Sequence, residues 1–374
     1  MKPTVPSKGR QSPRDSIAMK ALHIHAGPAA RRHIEQHGLS PQDIRLVPAA
    51  AGGPKGLILT HLDRHIFGQW LAPSGHTVHL VGASIGAWRM AAATMPSPSD
   101  AFKRLAHDYI HQYYEPEAGR KVPSPQRISA NFGAALDVFF GKDTASLLAH
   151  PRWRLHVVTA RGRQLLRPGT RMRTPLGFAG LALGNAMSRR SVGAFLERNV
   201  FSSAGEALPV ALRDLPTARC ALTAENFKPA LQASCSIPFL LDAVRDIPGA
   251  TKGAHWDGGL VDYHFHWNFA SMDKGLVLYP HFQQSIVPGW LDKSFKRRHL
   301  PTPGLDNMVL LAPNPDWVAK LPAGKLPDRE DFTALEFTSR VRHWSRAVAE
   351  SERLAHEWDD WLRHGCPISE VRPL

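Results

Sequence analysis

Short apolar runs, many of them β-branched or Leu-rich, punctuate the chain at Ile44–Val47, Thr77–Val81, Leu155–Thr159, Arg219–Thr223, Gly275–Tyr279 and Met308–Leu311. Each reads as a buried strand. Helical patterns lie between most of them. Leu57 to Trp70 is one. Another is the stripe Phe102, Leu105, Ala106, Tyr109, Ile110 and Tyr113, whose members recur at helical spacing. Strands alternating with helices predict an α/β chain with a mainly parallel sheet covered on both faces. Near the C-terminus, Phe337, Val341, Trp344, Val348, Leu354, Trp358 and Trp361 predict one long helix from about Asp331 to His364. Core packing explains that stripe better than a cofactor site does. Residues 115–150 and 161–216 fit the rhythm poorly and read as insertions over one end of the sheet, where lids and substrate-binding elements sit. The expected organisation is a flexible basic tail over 1–20, an α/β domain over 21–330, and a helical segment over 331–374 packed on it.

Composition narrows the class. The chain has 374 residues, 43% hydrophobic and 21% charged. Disordered, collagen-like and coiled-coil readings are excluded. A chain of this length buries about three quarters of its unfolded surface, enough for a full core. Cys220, Cys235 and Cys366 are too few for a disulfide framework. Lys and Arg number 46 against 32 acidic residues, a formal charge of +14. That excess favours anionic partners without choosing among phospholipid surfaces, nucleic acid and acidic substrates. Its densest cluster is Lys293, Lys296, Arg297, Arg298 and His299. Nucleic acid ranks last, since no recognition motif or aromatic-interleaved basic patch accompanies the cluster.

Met1 to Lys20 is polar and basic with no apolar core, so it is no secretory signal. The longest uncharged apolar stretch, Thr174 to Ser188, has 15 residues, short of the roughly 20 that span a membrane. It is either a buried helix or an interfacial one, with Phe178 and Leu181 as its apolar contacts and Arg189 and Arg190 beside it. The expected location is cytoplasmic, with peripheral contact to an anionic membrane as an option.

Three motifs carry chemistry. Gly52-Gly53-Pro54-Lys55-Gly56 follows the run ending near Val47 and opens a helical pattern. Gly82-Ala83-Ser84-Ile85-Gly86 follows Thr77–Val81 and precedes Ala87–Thr94. Asp257-Gly258-Gly259 comes after an irregular stretch. Gly-x-Ser-x-Gly places a serine on a tight strand-to-helix turn, beside a helix N-terminus that favours a developing anion. A glycine loop offers backbone N–H groups suited to an oxyanion hole. A carboxylate such as Asp257 is able to take the serine proton. Each motif alone is short enough to arise by chance. All three, two of them in a strand–turn–helix context, point to an activated serine.

In these motifs the sequence resembles the patatin-like phospholipase family, over about Ile44 to Tyr263. That resemblance implies a three-layer α/β/α sandwich and a serine–aspartate dyad without histidine, acting on acyl esters of phospholipids and neutral lipids. It assigns Ser84 as nucleophile and Asp257 as base. Gly52, Gly53 and the N–H of Ile85 would form the oxyanion hole, with Lys55, Gly56, Gly82, Gly86, Gly258 and Gly259 as motif support. Ala233-Ser234-Cys235-Ser236-Ile237-Pro238-Phe239 resembles the small-residue segment that precedes the family's aspartate. Ala51 stands where many members have a further glycine, and Leu260-Val261-Asp262 replaces a frequent Asn-x-Pro. The implied reaction is hydrolysis through an acyl-enzyme, with no metal or cofactor.

Other readings stay open. A Ser–His–Asp triad hydrolase is compatible with the order Ser84, Asp257 and a later histidine among His264, His266, His281, His343 and His356. His61 and His65, and His107 and His111, have the spacing of two metal ligands on one helix face, without the Glu of His-Glu-x-x-His. A catalytically inactive lipid- or membrane-binding module is the non-enzymatic alternative.

Overall fold

All six apolar runs enter one central sheet. The computed structural model describes residues 19–120, 122–142, 144–170 and 173–374. The strands are β1 (Leu22–Ala26), β2 (Ile44–Ala49), β3 (Val78–Ala83), β4 (Trp153–Gly162), β5 (Leu196–Ser202), β6 (Thr217–Ala221), β7 (Val244–Arg245), β8 (Ala254–Asp257), β9 (Leu276–Pro280), β10 (Met308–Pro313) and β11 (Val371–Pro373). Their spatial order is β11-β1-β10-β9-β2-β3-β4-β5-β6, with β8 pairing to β4 and β7. Six of the ten pairings are parallel, so the sheet is mixed and mostly parallel. Consecutive residues of a strand face opposite sides. β3, β9 and β10 are buried at every position, so both faces of the central sheet are covered.

The helices of eight residues or more are α1 (Pro28–His37), α2 (Ile85–Ala93), α3 (Pro98–Ile110), α4 (Pro125–Phe140), α5 (Arg173–Met187), α6 (Phe227–Ser234), α7 (Phe337–Glu350) and α8 (Glu352–Arg363). α3 buries Phe102, Leu105, Ala106 and Ile110, whereas Tyr113 lies beyond its end and is exposed. Leu57 to Trp70 is not one α-helix. A 3-10 turn over Gly53–Leu59 leads into a short helix, Thr60–His65, and a π turn, Ile66–Trp70.

Three further expectations are corrected. The segment 161–216 is not wholly an insertion, because it holds the end of β4 and all of β5. β5 carries Glu197, Arg198 and Asn199 where an apolar run would be. Arg198 is fully buried there, held by Asp262 and Asp214 at 2.8 Å, so an ion-pair network replaces apolar burial and hides the strand from hydropathy. The predicted C-terminal helix is broken at Glu336 and Ser351. Glu336 accepts the N–H groups of Thr338 and Ser339 and caps α7. The chain then ends in β11, parallel to β1, so the segment 331–374 is not purely helical. Of the expected tail, Met1 to Ala18 lies outside the described residues. Lys20 pairs with Glu370, and Arg353 donates to the Met19 carbonyl at 2.6 Å, which fastens these two residues to the C-terminal segment.

Among the described residues no helix is long and apolar enough to cross a membrane. α5 forms where the apolar stretch predicts a helix, but Leu181 is fully buried and Phe178 is half-buried, 5.5 Å from the Phe239 ring. Its exposed apolar residues are instead Leu176, Leu183 and Met187.

Candidate active site

β4 brings two distant parts of the chain together. β3 runs parallel to it, with Ala83 opposite Val158. β5 occupies the other edge of β4 through residues 156–162. β8 therefore lies on the β3 edge, antiparallel, with Asp257 opposite Thr159. The last residue of β3 and the last residue of β8 thus face neighbouring residues of β4. Ser84, one step beyond β3, meets Asp257 there, and its Oγ donates to Asp257 Oδ2 at 2.8 Å.

The turn at Ser84 is sharp. Ser84 has φ 55° and ψ −132°, a conformation rare for a non-glycine residue and worth about 1–3 kcal/mol of strain. It is over-determined by its surroundings. A Cβ on Gly86 would overlap the Ala49 carbonyl, and Gly82 backs onto the Gly86–Ala87 backbone, so the motif's glycines let α2 start against the end of β2. The Ser84 N–H donates to Ser234 Oγ at 2.9 Å, and Ser234 Oγ donates to the Val158 carbonyl at 2.7 Å. The Asp257 N–H donates to the Ser236 carbonyl at 2.9 Å. The segment Ala233–Phe239 therefore holds both members of the pair. A Cβ on Gly258 would overlap the Val158 carbonyl, so the turn after Asp257 also sits tight against β4.

The glycine loop lies against the same place. Gly56 backs onto the Ile85 side chain, and the Ala51 N–H donates to the Tyr263 carbonyl at 2.9 Å. The N–H groups of Gly52, Gly53 and Ile85 make no hydrogen bond among the described residues. Three backbone donors are therefore unpaired, one of them at the first turn of α2, where the helix carries partial positive charge. Lys55 does not extend freely from this loop, since its Nζ pairs with Asp328 at 3.2 Å.

Burial pushes the Asp257 carboxyl up to about 6, against the Ser84 hydroxyl, the Gly259 N–H at 2.7 Å and the more distant Arg329 and Lys293, all of which favour its charged form. Cys235 is buried beside the pair, and burial together with the Asp257 charge holds its thiol well above the ordinary range. Asp257 is thus largely ionised at neutral pH, while the thiol beside it stays protonated.

None of the later histidines hydrogen-bonds to Ser84 or Asp257. His264 accepts the Val287 N–H at 3.0 Å, His266 meets the Leu300 carbonyl and His281 accepts the Gln283 N–H. Burial holds His264 and His281 far below their ordinary value, hence neutral. His343 and His356 stand on α7 and α8. The spaced histidine pairs are likewise apart from the site. His107 and His111 are exposed with rings 4.4 Å apart, and His65 faces Asp359 at 3.6 Å. Among the described residues no group of three or more His, Cys, Asp or Glu is placed to hold a metal ion.

Four further residues border the pair without belonging to any motif. The Tyr109 hydroxyl lies 3.6 Å from the position a Gly53 Cβ would take, so a member of the α3 stripe reaches the glycine loop. Tyr263 flanks Gly259, Lys293 Nζ stands 4.5 Å over the Tyr263 ring, and Arg329 lies within electrostatic reach of Asp257. Only the helical spacing of Tyr109 and the cluster containing Lys293 singled either out. No protein-family model matches this chain, and no curated protein matches it.

Proposed function

We propose that this protein is a serine acyl-ester hydrolase of the patatin-like type, acting on lipid through Ser84 and Asp257. The observation that carries the reading is the direct 2.8 Å hydrogen bond from a serine in a strained strand-to-helix turn to a buried carboxylate, with no histidine between them. Asp257 takes the hydroxyl proton as Ser84 Oγ attacks the ester carbonyl carbon. The free N–H groups of Gly52, Gly53 and Ile85 receive the oxyanion as it forms, where each donor is typically worth about 3–4 kcal/mol of transition-state stabilisation. The tetrahedral adduct collapses, the alkoxide leaves with the proton from Asp257, and an acyl-serine remains. Asp257 then deprotonates a water molecule that attacks the acyl carbonyl, and the fatty acid and free Ser84 are regenerated. No step calls on a metal or cofactor.

The three-layer patatin-like fold belongs to the same proposal, supported by the mostly parallel sheet covered on both faces. So does a cytoplasmic location with peripheral contact to an anionic membrane, supported by the formal charge of +14. A fluorophosphonate probe tests the activity. Labelling of the folded protein is expected, with loss in Ser84→Ala and strong reduction in Asp257→Asn. A folded wild type that resists the probe would leave only a lipid-binding module.

A further inference from the structure

Positive charge gathers beside the Ser84–Asp257 pair in excess of what the protein itself neutralises. Lys55, Lys293 and Arg329 act on one another's surroundings, and the carboxylates among them are Asp328 and Asp257. Asp328 is committed to Lys55 at 3.2 Å. Asp257 is committed to Ser84 and to the Gly259 N–H. Among the described residues neither Lys293 nor Arg329 forms an ion pair with a carboxylate, although fifteen other lysine or arginine pairs form there.

Lys293 is held in place nonetheless. Its Nζ stands 4.5 Å from the centre of the Tyr263 ring and 5.6 Å from that of Trp290. Aromatic faces orient an ammonium without neutralising it. Tyr263 in turn adjoins Gly259, whose N–H holds Asp257, so the ammonium sits over the wall of the site. The turn carrying Lys293 is anchored from below. Asp292 is fully buried and takes Asn185 at 3.0 Å, Arg189 at 2.8 Å and Arg298 at 2.6 Å, so Arg189 and Arg298 are spent on structure while Lys293 is not. Burial first, and then the charges of Lys55 and Arg329, draw the Lys293 ammonium down to about 8, against the raising effect of Asp328 and Asp257.

We propose that Lys293 and Arg329, backed by Lys55, form an anion-accepting rim beside Ser84 and select acyl esters that carry a phosphate or carboxylate close to the scissile ester. The inference rests on the hydrolase reading above. The negative group meets the two unpaired cations while the ester carbonyl lies over the glycine loop, so the rim acts on binding and orientation and takes no part in bond making.

The test compares kcat/KM for matched soluble esters. Dihexanoyl phosphatidate is set against dihexanoyl glycerol for the phosphate arm, and 4-nitrophenyl hydrogen glutarate against 4-nitrophenyl butyrate for the carboxylate arm. The anionic-to-neutral ratio is expected to exceed one in the wild type and to fall about tenfold in Lys293→Gln and in Arg329→Gln, as loss of a charge-assisted contact implies. Lys293→Arg is expected to keep it. Lys296→Gln removes an equal charge from the next turn and serves as the control for net charge. The arm with the larger fall identifies the anion. A ratio that ignores Lys293 and Arg329, or that falls equally in Lys296→Gln, overturns the proposal. Binding of hexyl phosphate to Ser84→Ala, followed by calorimetry with and without Lys293→Gln, reads the rim with no turnover. If the wild type hydrolyses no neutral ester but this affinity still drops about tenfold, the rim stands and the hydrolase reading fails.

Discussion

Asp257 meets two opposed demands. A general base must be ionised, yet its burial favours the neutral acid and places its titration at about 6. The free-enzyme rate constant kcat/KM should therefore fall roughly tenfold for each pH unit below about 6 and level off above it. A profile flat from pH 5 to 8 on a soluble ester would remove Asp257 as the base. Stability runs the other way. The folded carboxyl holds its proton more tightly than the unfolded one, whose value is 3.8, so the folded state loses stability as pH rises from about 4 to about 6. Above that the ionised carboxylate costs about 3 kcal/mol. Asp257→Asn should thus abolish hydrolysis yet unfold at a higher denaturant midpoint than the wild type at pH 8, with no such gain at pH 4. Equal midpoints at pH 8 would show that the folded carboxyl is not raised above its unfolded value.

The element that decides the site is β4 together with the segment Ala233–Phe239. β4 sets the register of both β3 and β8, and the segment at the end of α6 ties down what protrudes from each. Ser234 is the tie on the nucleophile side. Its hydroxyl bridges the Ser84 N–H and the Val158 carbonyl and is wholly buried. Ser234→Ala leaves both groups unpaired, at about 1–3 kcal/mol each. The strained turn then loses one of its restraints. A drop of about tenfold or more in kcat is expected, with KM on a soluble ester little changed, because the turn positions the attacking atom rather than the substrate. If KM and kcat moved together, or neither moved, Ser234 would be a core residue only.

At the scale of the whole molecule, a lipid substrate must be delivered to one face. α5 presents Leu176, Leu183 and Met187 to solvent, between exposed Arg173 and Arg190. Buried polar contacts from Asn185 and Arg189 to Asp292 tie this helix to the turn that carries Lys293. The exposed apolar edge, its flanking cations and the turn carrying Lys293 thus belong to one connected region, the pattern of an interfacial helix. Leu183→Ser combined with Met187→Ser should weaken sedimentation with phosphatidylglycerol vesicles. Hydrolysis of a soluble short-chain ester should be unaffected. Loss of both together would mean that these side chains serve folding, as buried Leu181 does.

Much of this was legible along the chain. Strands buried on both faces show as consecutive apolar residues. Turns that admit no Cβ show as glycines at set positions, so six strands and three motifs could be read locally. Ser84 and Asp257 were candidates from their motifs alone. What joined them is a register on β4 between residues 173 apart in sequence, which no short window contains. The same reason hid β5, whose Arg198 is paid for by Asp262 and Asp214 rather than by hydrophobicity. It also hid the free charge near the site. Any lysine or arginine looks alike in sequence, and only the folded arrangement decides which carboxylates are already taken. Local sterics and burial are written residue by residue, whereas pairing across the sheet and the neutralisation of charge depend on which distant partners the tertiary structure brings within reach.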